Sequence, residues 1–504
     1  MQSLITSLQM RDMEQRYFTE TGTPSIDLME RAAAALCDAI IRHYGSDRLV
    51  FFACGPGGNG GDGYACARMY AKAGGRCALF SAAPPSTPDA IRNHELALAA
   101  GIEELIPGDI HEPPDIWVDA LFGTGLSRAP EGAAAALIRR MDDDRERGSQ
   151  VVAVDIPSGL DGENGARYLP CIQADLTVAF QFAKTGHWLA DGLDVCGKVE
   201  VVDIGIPPRF FPTGMTQLMA HKDARHMLPE KPRNTHKGKN GHLLIVAGSV
   251  GMAGAAAICA QAALRSGVGL VTVACPESIV GVIQTLAPCA MAAPLPEKHG
   301  AIAPDALDEL ADALKGKQAI VCGCGLSQRA SHQVLKLLLE CGLPTLLDAD
   351  ALTMIADDMN LRASLRRHHL ITPHPGEAAR LLGHGLTNPL ADALALRALG
   401  CQALLKGATT VIPVGDVTWL SASGCAGMAK GGAGDCLSGL IGGLMAQFSA
   451  AGTPMIGARL ARCAATASEL HGVAGELAEM AFGPFGMTAM DIVEALPAAL
   501  SGRG

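Results

Sequence analysis

Short apolar runs recur through the first half of the chain, separated by stretches in which apolar residues return every third or fourth position. Runs at Leu49 to Cys54, Arg76 to Ser81, Ile116 to Leu121, Val151 to Ile156, Leu176 to Phe180 and Val199 to Ile204 have the length and apolar density of strands buried on both faces. Between them lie helical patterns. The clearest carries Ile26, Met29, Ala33, Leu36, Cys37 and Ile40 on one stripe, with Thr23 and Pro24 as its expected start and cap. Strands that alternate with helices in this way predict parallel crossover units, hence an α/β fold.

The pattern dissolves around Ile206 to Pro232, where prolines cluster at 207, 208, 212, 229 and 232, and a basic polar run follows from Lys231 to Asn240. That stretch predicts a domain boundary, with His236 and Lys237 in a solvated linker outside any site. A second alternation then begins. Strands are expected at Leu243 to Ala247, Leu270 to Ala274, Ala319 to Cys322, Thr345 to Leu347, His369 to Thr372, Ala403 to Leu405, Thr410 to Val414 and Val417 to Ser421, and a helix at Ala253 to Ser266. The last two strands are joined by a Gly415-Asp416 turn. No short-period repeat is visible, which sets a solenoid aside.

Composition narrows the function classes. The 504 residues are enough for two to four domains by the usual domain size. A formal net charge of −11 offers no positive field for nucleic acid or an anionic membrane, so neither is an expected partner. The sixteen cysteines include no C-x-x-C pair and mostly sit among apolar neighbours, which suits core filling in a reducing compartment. The amino terminus lacks a basic segment followed by an apolar run, and the most apolar stretch, Leu243 to Cys275, is interrupted by glycines, serines and Arg265. A cytoplasmic protein is the expectation.

Candidate chemistry gathers in loops after strands. Gly55 to Gly63 reads GPGGNGGDG, with a helix expected from about Tyr64; its glycines match G-x-G-x-x-G. The acid that a nicotinamide dinucleotide fold places at the end of the next strand is missing, since that strand ends in Ser81 and Ala82. What remains is a glycine loop able to approach phosphate, or a tight packing turn. Two more loops follow strands, Asp119 to Leu126 and Asp155 to Gly159. In an open parallel sheet these strand ends share one edge, where Asn59, Asp62, Asp119, Asp155 and Ser158 can converge; as single residues each also reads as a turn or cap residue.

In the second half, Gly424 to Asp435 (GCAGMAKGGAGD) precedes the amphipathic run Cys436, Leu437, Leu440, Ile441 and Leu444. A glycine chain followed by a helix start is an anion nest, and phosphate is its natural guest. Asp435 at that helix start is placed to take a proton from a hydroxyl beside the phosphate. His374, held between Pro373 and Pro375, reads as structural or as a positioning residue, and Lys406 as a solvated lysine or a nucleotide contact.

Several motifs taken together carry a resemblance. The loop GPGGNGGDG, the segment VDALFGTGL from Val118 to Leu126, DIPSG from Asp155 to Gly159 and the early LMER at Leu28 to Arg31 resemble the NAD(P)H-hydrate epimerase domain, over about residues 1–215. That resemblance implies potassium ligands at Asn59, Asp119 and Ser158. It also implies substrate-binding loops at Gly58, Asn59, Gly60, Gly61 and Asp62 and at Gly123, Thr124, Gly125, Leu126, Ser127, Arg128 and Ala129, with Asp155 as a substrate-contacting catalytic carboxylate. Gly58 stands where the family has an asparagine.

The glycine segment before Asp435 resembles the ribokinase-like superfamily. THKG from Thr235, Gly248-Ser249, MAG from Met252, ALRSG from Ala263, LDADAL from Leu347, TPHPGE from Thr372 and LKGA from Leu405 are similar to the ADP-dependent NAD(P)H-hydrate dehydratase, over about residues 222–504. Ala255, Gly325, His374 and Asp435 then match hydrate-binding positions, and Lys406, Gly407, Ala408, Thr409, Thr410 and Gly434 an adenine-nucleotide site, with Asp435 as catalytic base. Cys425 replaces an asparagine, and Thr353 stands where asparagine is common.

The implied protein is a Rossmann-like three-layer αβα domain followed by a ribokinase-like αβα domain. It would interconvert the R and S hydrates of NADH and NADPH and then dehydrate the S form, consuming ADP and releasing AMP and phosphate, with potassium in the first half and magnesium in the second. A small-molecule kinase and a non-catalytic nucleotide sensor stay open on the residues alone, as does a homo-oligomer.

Overall fold

A computed structural model of the chain describes residues 1–106 and 112–501. It divides into two compact units, Ser3–Thr216 and Gln217–Gly504 together with Met1–Gln2.

In the first unit seven parallel strands form one sheet in the order Glu103–Glu104, Arg76–Ser81, Leu49–Cys54, Ile116–Ala120, Gln150–Val154, Leu176–Phe180 and Lys198–Val202. Phe52, Trp117, Val118 and Val152 are buried with no exposed surface, as expected for strands covered on both faces. The helix Ser25–Tyr44 packs on one face through Leu28, Ala32, Ala33, Leu36, Cys37 and Ile40; Gly132–Glu146 covers the other through Leu137, Ile138 and Met141. The first of these starts at Pro24 without a side-chain cap, so Thr23 does not cap it; Thr23 Oγ1 accepts from the Thr21 hydroxyl instead.

Strand order reverses between Leu49–Cys54 and Ile116–Ala120. At such a point the two following connections diverge to opposite faces and leave a crevice beyond the carboxyl ends, the usual ligand position in this fold class. The segments after these strands are the glycine-rich stretch from Gly55 and the stretch from Leu121.

The second unit repeats the plan. Its seven parallel strands run Met291–Leu295, Leu270–Pro276, His242–Val246, Ala319–Cys322, Thr345–Leu347, His369–Ile371 and Gln402–Ala403, with the reversal between His242–Val246 and Ala319–Cys322. Thr410–Val414 and Val417–Ser421 form an antiparallel hairpin turning at Gly415, whose φ is +63°. Ala433–Ala450 lies against Ala253–Arg265 so closely that a Cβ on Gly439 would come within 2.1 Å of the Cys259 carbonyl oxygen. The basic run 231–240 is exposed along most of its length.

Several short or edge strands are absent from the sequence expectation, among them Glu103–Glu104, Thr216–Leu218, Met291–Leu295 and Gln2–Ile5. Met291–Leu295 is an edge strand, half exposed and containing Pro294, which breaks the apolar pattern that marks a central strand. Gln2–Ile5 is short and pairs in parallel with Ala183–Lys184. The sixteen cysteines are all free thiols and most are buried. No helix among the described residues is long and apolar enough to cross a membrane.

Candidate functional site

The largest departure from the sequence expectation lies in the first glycine stretch. The helix expected from about Tyr64 begins at Gly58 and runs to Lys72, so Asn59, Gly60, Gly61 and Asp62 occupy its first turns rather than a loop. Close packing is the reason. A Cβ on Gly60 would lie 1.9 Å from the Gly55 carbonyl oxygen, and one on Gly63 2.6 Å from the Ala120 Cβ. These glycines let the helix start sit directly on the strand ends. Gly57 and Gly58 face open space, and they line the cleft.

That cleft encloses about 500 Å³. Gly58, Asn59 and Asp62 line it from the helix start, Gly123, Thr124, Gly125 and Leu126 from the next connection, and Asp155 from the strand end beyond. Ser127, Arg128 and Ala129 are exposed and lie outside its lining. Gly60 and Gly61 are buried beneath it.

Asp155 has φ +64°, a conformation that costs a non-glycine residue about 1–3 kcal/mol unless its surroundings impose it. Here they do. Its N–H donates to the Val178 carbonyl at 2.9 Å, its carbonyl accepts from His187 Nε2 at 2.9 Å, and Oδ1 accepts from the Phe180 N–H at 3.1 Å and from the buried Lys184 ammonium. His187 Nδ1 in turn accepts from the Lys184 N–H at 3.2 Å. Burial, with Lys184 nearby, holds the imidazole neutral, its pKa lowered to about 4. Oδ1 is thus committed to the protein, and among the described residues Oδ2 has no hydrogen-bond partner.

Asp119 and Ser158 meet behind the cleft wall. Asp119 Oδ1 accepts from Ser158 Oγ at 2.6 Å and from the Leu121 N–H at 3.2 Å, and Oδ2 accepts from the Ser158 N–H at 2.7 Å. Burial pushes this carboxyl up to about 6 despite those hydrogen bonds. Among the described residues no cation pairs with it. Asn59 packs its amide on Gly123, 3.1 Å from where a Cβ there would stand, and its Nδ2 is buried without a partner. A half-turn of this amide about its terminal bond presents Oδ1 there instead. A buried carboxylate, a hydroxyl and an orphaned amide suit a hard monovalent cation taking oxygen ligands.

In the second unit, Gly432, in the left-handed region at φ +95°, starts the helix Ala433–Ala450 with no side-chain cap, which leaves its first-turn amides to a ligand or water. Asp435 is the third helical residue and does not cap it. Burial raises its pKa to about 6, while the Cys324 thiol and Lys406 favour its anion and Asp348 opposes it. Lys406 Nζ donates to Asp348 Oδ1 at 2.7 Å, and Ser438 Oγ to Asp348 Oδ2 at 2.7 Å. A Cβ on Gly434 would stand 3.6 Å from Lys406 Nζ. Gly325 follows Cys324, whose thiol hydrogen-bonds to Asp435, and its Cβ direction lies 3.0 Å from the Ala255 Cβ, so these residues come near one another just past the strand Ala319–Cys322. Gly407 and Ala408 are exposed, whereas Thr409 and Thr410 are buried at the start of the hairpin.

His374 caps the helix Pro375–Leu382: Nδ1 accepts from the Gly376 N–H at 3.0 Å while the rest of the ring stays largely exposed. The Lys406 N–H donates to the Pro373 carbonyl at 2.9 Å, which brings this cap beside the lysine.

Comparison with known proteins now decides the family. A family model described as NAD(P)H-hydrate dehydratase matches residues 243–498, and one described as YjeF-related protein N-terminus matches residues 25–186. The bifunctional NAD(P)H-hydrate repair enzyme of Moorella thermoacetica is 36% identical over 98% of this chain and 96% of its own length. That of Escherichia coli is 34% identical over 94% and 89%. The chain belongs to the family of bifunctional NAD(P)H-hydrate repair enzymes. It carries an NAD(P)H-hydrate epimerase and an NAD(P)H-hydrate dehydratase. A solved structure titled as the ADP/ATP-dependent NAD(P)H-hydrate dehydratase from Bacillus subtilis, co-crystallised with ATP and Mg²⁺, is 27% identical, with a TM-score of 0.45, covering 57% of this chain and 98% of that one.

Several residues of this repair enzyme's sites escape sequence reasoning. Lys184 and His187 bind Asp155 from about thirty positions downstream, and the signal available was a lysine inside an otherwise apolar stretch, FQFAKTGHW. The glycine loop before Asp435 is tied down by one helix, Ala458–Gly486. Glu469 accepts from Ser421 Oγ at 2.9 Å and Ser423 Oγ at 2.6 Å, Glu476 from the Gly424 N–H at 2.8 Å, and Glu479 from the Gly427 N–H at 2.9 Å. Their spacing along the helix marked one face, but nothing local named its partner.

Proposed function

We propose that residues 1–215 carry the epimerase and residues 222–504 the dehydratase, the first working at the cleft beside Asp155 and the second at the helix start beside Asp435. In the first, the hydrate's ring carbon next to nitrogen loses and regains its hydroxyl through a cation. Asp155 Oδ2, free and facing the cleft, stabilises that positive charge as it forms. Lys184 and His187 hold the carboxylate in place from behind. Asn59, Asp119 and Ser158 would hold potassium, whose charge would compensate Asp119 and order the connection at Gly123. Gly58, Asn59, Asp62 and the stretch Gly123 to Leu126 contact the substrate from the cleft walls. Gly60 and Gly61 act through packing, and Ser127, Arg128 and Ala129 act at the cleft's outer margin.

In the second, the first-turn amides of the helix Ala433–Ala450 and Gly434 take the phosphates of ADP, and Lys406 to Thr410 flank the nucleotide. Ala255, Gly325 and His374 contact the hydrate. Asp435 removes the proton from its hydroxyl as that oxygen takes the terminal phosphoryl group of ADP, which releases AMP. The carbon–oxygen bond then breaks with its electron pair leaving on phosphate, and the neighbouring ring carbon gives up a proton to restore the double bond. Among the described residues no three His, Cys, Asp or Glu side chains gather to hold a metal. Magnesium fits as an ion held chiefly by the phosphate oxygens, where it screens their charge. The products of both steps are small molecules, and the chemistry calls for neither nucleic acid nor membrane. A cytoplasmic location suits a repair enzyme of free nicotinamide cofactors.

One observation carries the reading: in the first unit the Asp155 carboxylate lines the cleft beyond the carboxyl ends of the parallel strands beside their order reversal, and in the second Asp435 stands at a helix start next to Cys324, just past the strand Ala319–Cys322 at the corresponding reversal. The test is incubation of mixed hydrate epimers with ADP, magnesium and potassium while nicotinamide absorbance returns. Return of absorbance for both epimers with release of AMP supports it. A stable phosphorylated product without reduced cofactor supports a kinase instead, and binding without turnover a sensor.

A further inference from the structure

Four carboxylic acids line the epimerase cleft: Glu14, Asp62, Asp89 and Asp155. Asp155 is paired with Lys184, and Asp89 accepts from Ser25 Oγ at 2.5 Å. Glu14 and Asp62 have no hydrogen bond or ion pair among the described residues. Lys184 is the cation buried beneath them, so one positive charge faces more acids than it can neutralise. An enclosed cleft resolves such an imbalance by keeping protons.

Glu14 is presented deliberately by its helix. Ser7–Thr21 starts with a capping box between Thr6 and Gln9, and the Ser7 N–H donates to Glu163 Oε1 at 2.8 Å, which anchors the helix end. Met10, Glu14 and Phe18, spaced one turn apart, form the face that lines the cleft, while Met13 and Tyr17 are buried on the core side. Burial raises the Glu14 carboxyl to about 7, with Lys184 opposing and Asp155 adding to the rise. Asp62 is likewise raised well above the usual carboxylate range by burial, Asp155, Glu14 and Asp89. A donor must lose and regain its proton at working pH; Glu14, on the cleft-lining face of its helix with no hydrogen-bond partner among the described residues and raised to about 7, meets that condition.

We propose that Glu14 is the proton donor of the epimerase cleft, delivering a proton to the departing hydroxyl of the hydrate while the Asp155 carboxylate faces the cation that forms. The step rests on the epimerase reading above. The Glu14 O–H bond breaks and its proton joins the hydroxyl oxygen. The carbon–oxygen bond breaks with its electron pair leaving on water, and the ring nitrogen's lone pair closes the C=N⁺ bond. Water then adds to either face, and its excess proton returns to the Glu14 carboxylate directly or through cleft water. Addition to the opposite face gives the other epimer.

The full chain with purified R hydrate, ADP, magnesium and potassium tests this, because R hydrate is consumed only after epimerisation. Wild-type failure to consume R hydrate above the uncatalysed background would sink the epimerase reading itself. Given wild-type activity, Glu14→Gln should lower kcat for epimerisation roughly 10²- to 10⁴-fold. KM should change far less, turnover of S hydrate by the second unit should stay normal, and an unchanged Tm for the first unit should report that it remains folded. Wild-type kcat should fall as pH rises through about 7, where Glu14 loses its proton facing Lys184, Asp155 and Asp62, and Glu14→Gln should lack that limb. Glu14→Asp, which keeps a carboxyl, should retain the limb at reduced rate. Near-wild-type epimerisation by Glu14→Gln, or an alkaline limb unchanged in that variant, overturns the proposal.

Discussion

Replacing Lys184 with methionine probes the device that holds Asp155. The ammonium has no exposed surface and the Asp155 side chain only 12%. Besides Asp155, Lys184 Nζ donates to the Phe180 carbonyl at 3.3 Å and the Phe182 carbonyl at 3.1 Å. Methionine fills the volume but leaves a buried carboxylate with the Phe180 N–H as its remaining protein donor. Removing one partner of a buried ion pair costs about 3–5 kcal/mol. Because Asp155 Oδ2 meets cleft water, the lower end applies, about 3 kcal/mol. In a unit of this size each kcal/mol moves Tm by about 2–4 °C, which gives a fall of about 6–12 °C. Lys184→Met combined with Asp155→Asn removes the stranded charge, so the double variant should recover part of the loss, with a coupling of about 1–3 kcal/mol. Calorimetry of the full chain, with the dehydratase half as internal reference, reads both quantities. A Tm within a degree of wild type for Lys184→Met, or strict additivity in the double variant, would refute the claim that this ion pair restrains Asp155.

Other outcomes follow from the same geometry. Asp435→Asn should lower dehydration by roughly 10²- to 10⁴-fold; in the wild type, a base raised to about 6 must be ionised to act, so the rate of S-hydrate turnover should fall as pH drops through about 6. Gly60→Ala should destabilise the first unit severely, since its Cβ would collide with the Gly55 carbonyl, whereas Gly57→Ala, with open space around it, should leave Tm almost unmoved and serve as control. His187 is held neutral when folded, with a pKa near 4 against about 6.5 when unfolded, so the unfolded chain gains the proton first. Stability should therefore be full above about 6.5 and drain away as pH falls toward 4, and His187→Gln should flatten the difference in Tm between pH 7 and pH 5. Glu476→Ala frees the Gly424 N–H from its anchor, and should raise KM for ADP with a smaller effect on kcat.

Central strands such as Leu49–Cys54 and Ala319–Cys322 were legible from sequence because burial on both faces demands an unbroken apolar run, a local signal. The edge strand Met291–Leu295 was not, since one exposed side removes that demand and Pro294 costs nothing there. Asp119, Asp155 and Ser158 were legible as candidates because a strand end in a parallel sheet places its next residues on a common edge.

By itself, then, the chain's pattern determined two parallel-sheet halves, the edge on which polar residues collect, and through its motifs the family. Tertiary structure decided how those residues are held. Whether GPGGNGGDG is loop or helix depends on what its glycines touch, and only the strand ends beneath Gly60 and Gly63 turn that stretch into a helix start. Glu14, Lys184 and His187 acquire meaning from Asp155, which lies far from each along the chain. Hydrophobic periodicity is local and survives in one dimension. Charge compensation in a buried cleft depends on distances in three, and no spacing along the sequence encodes it.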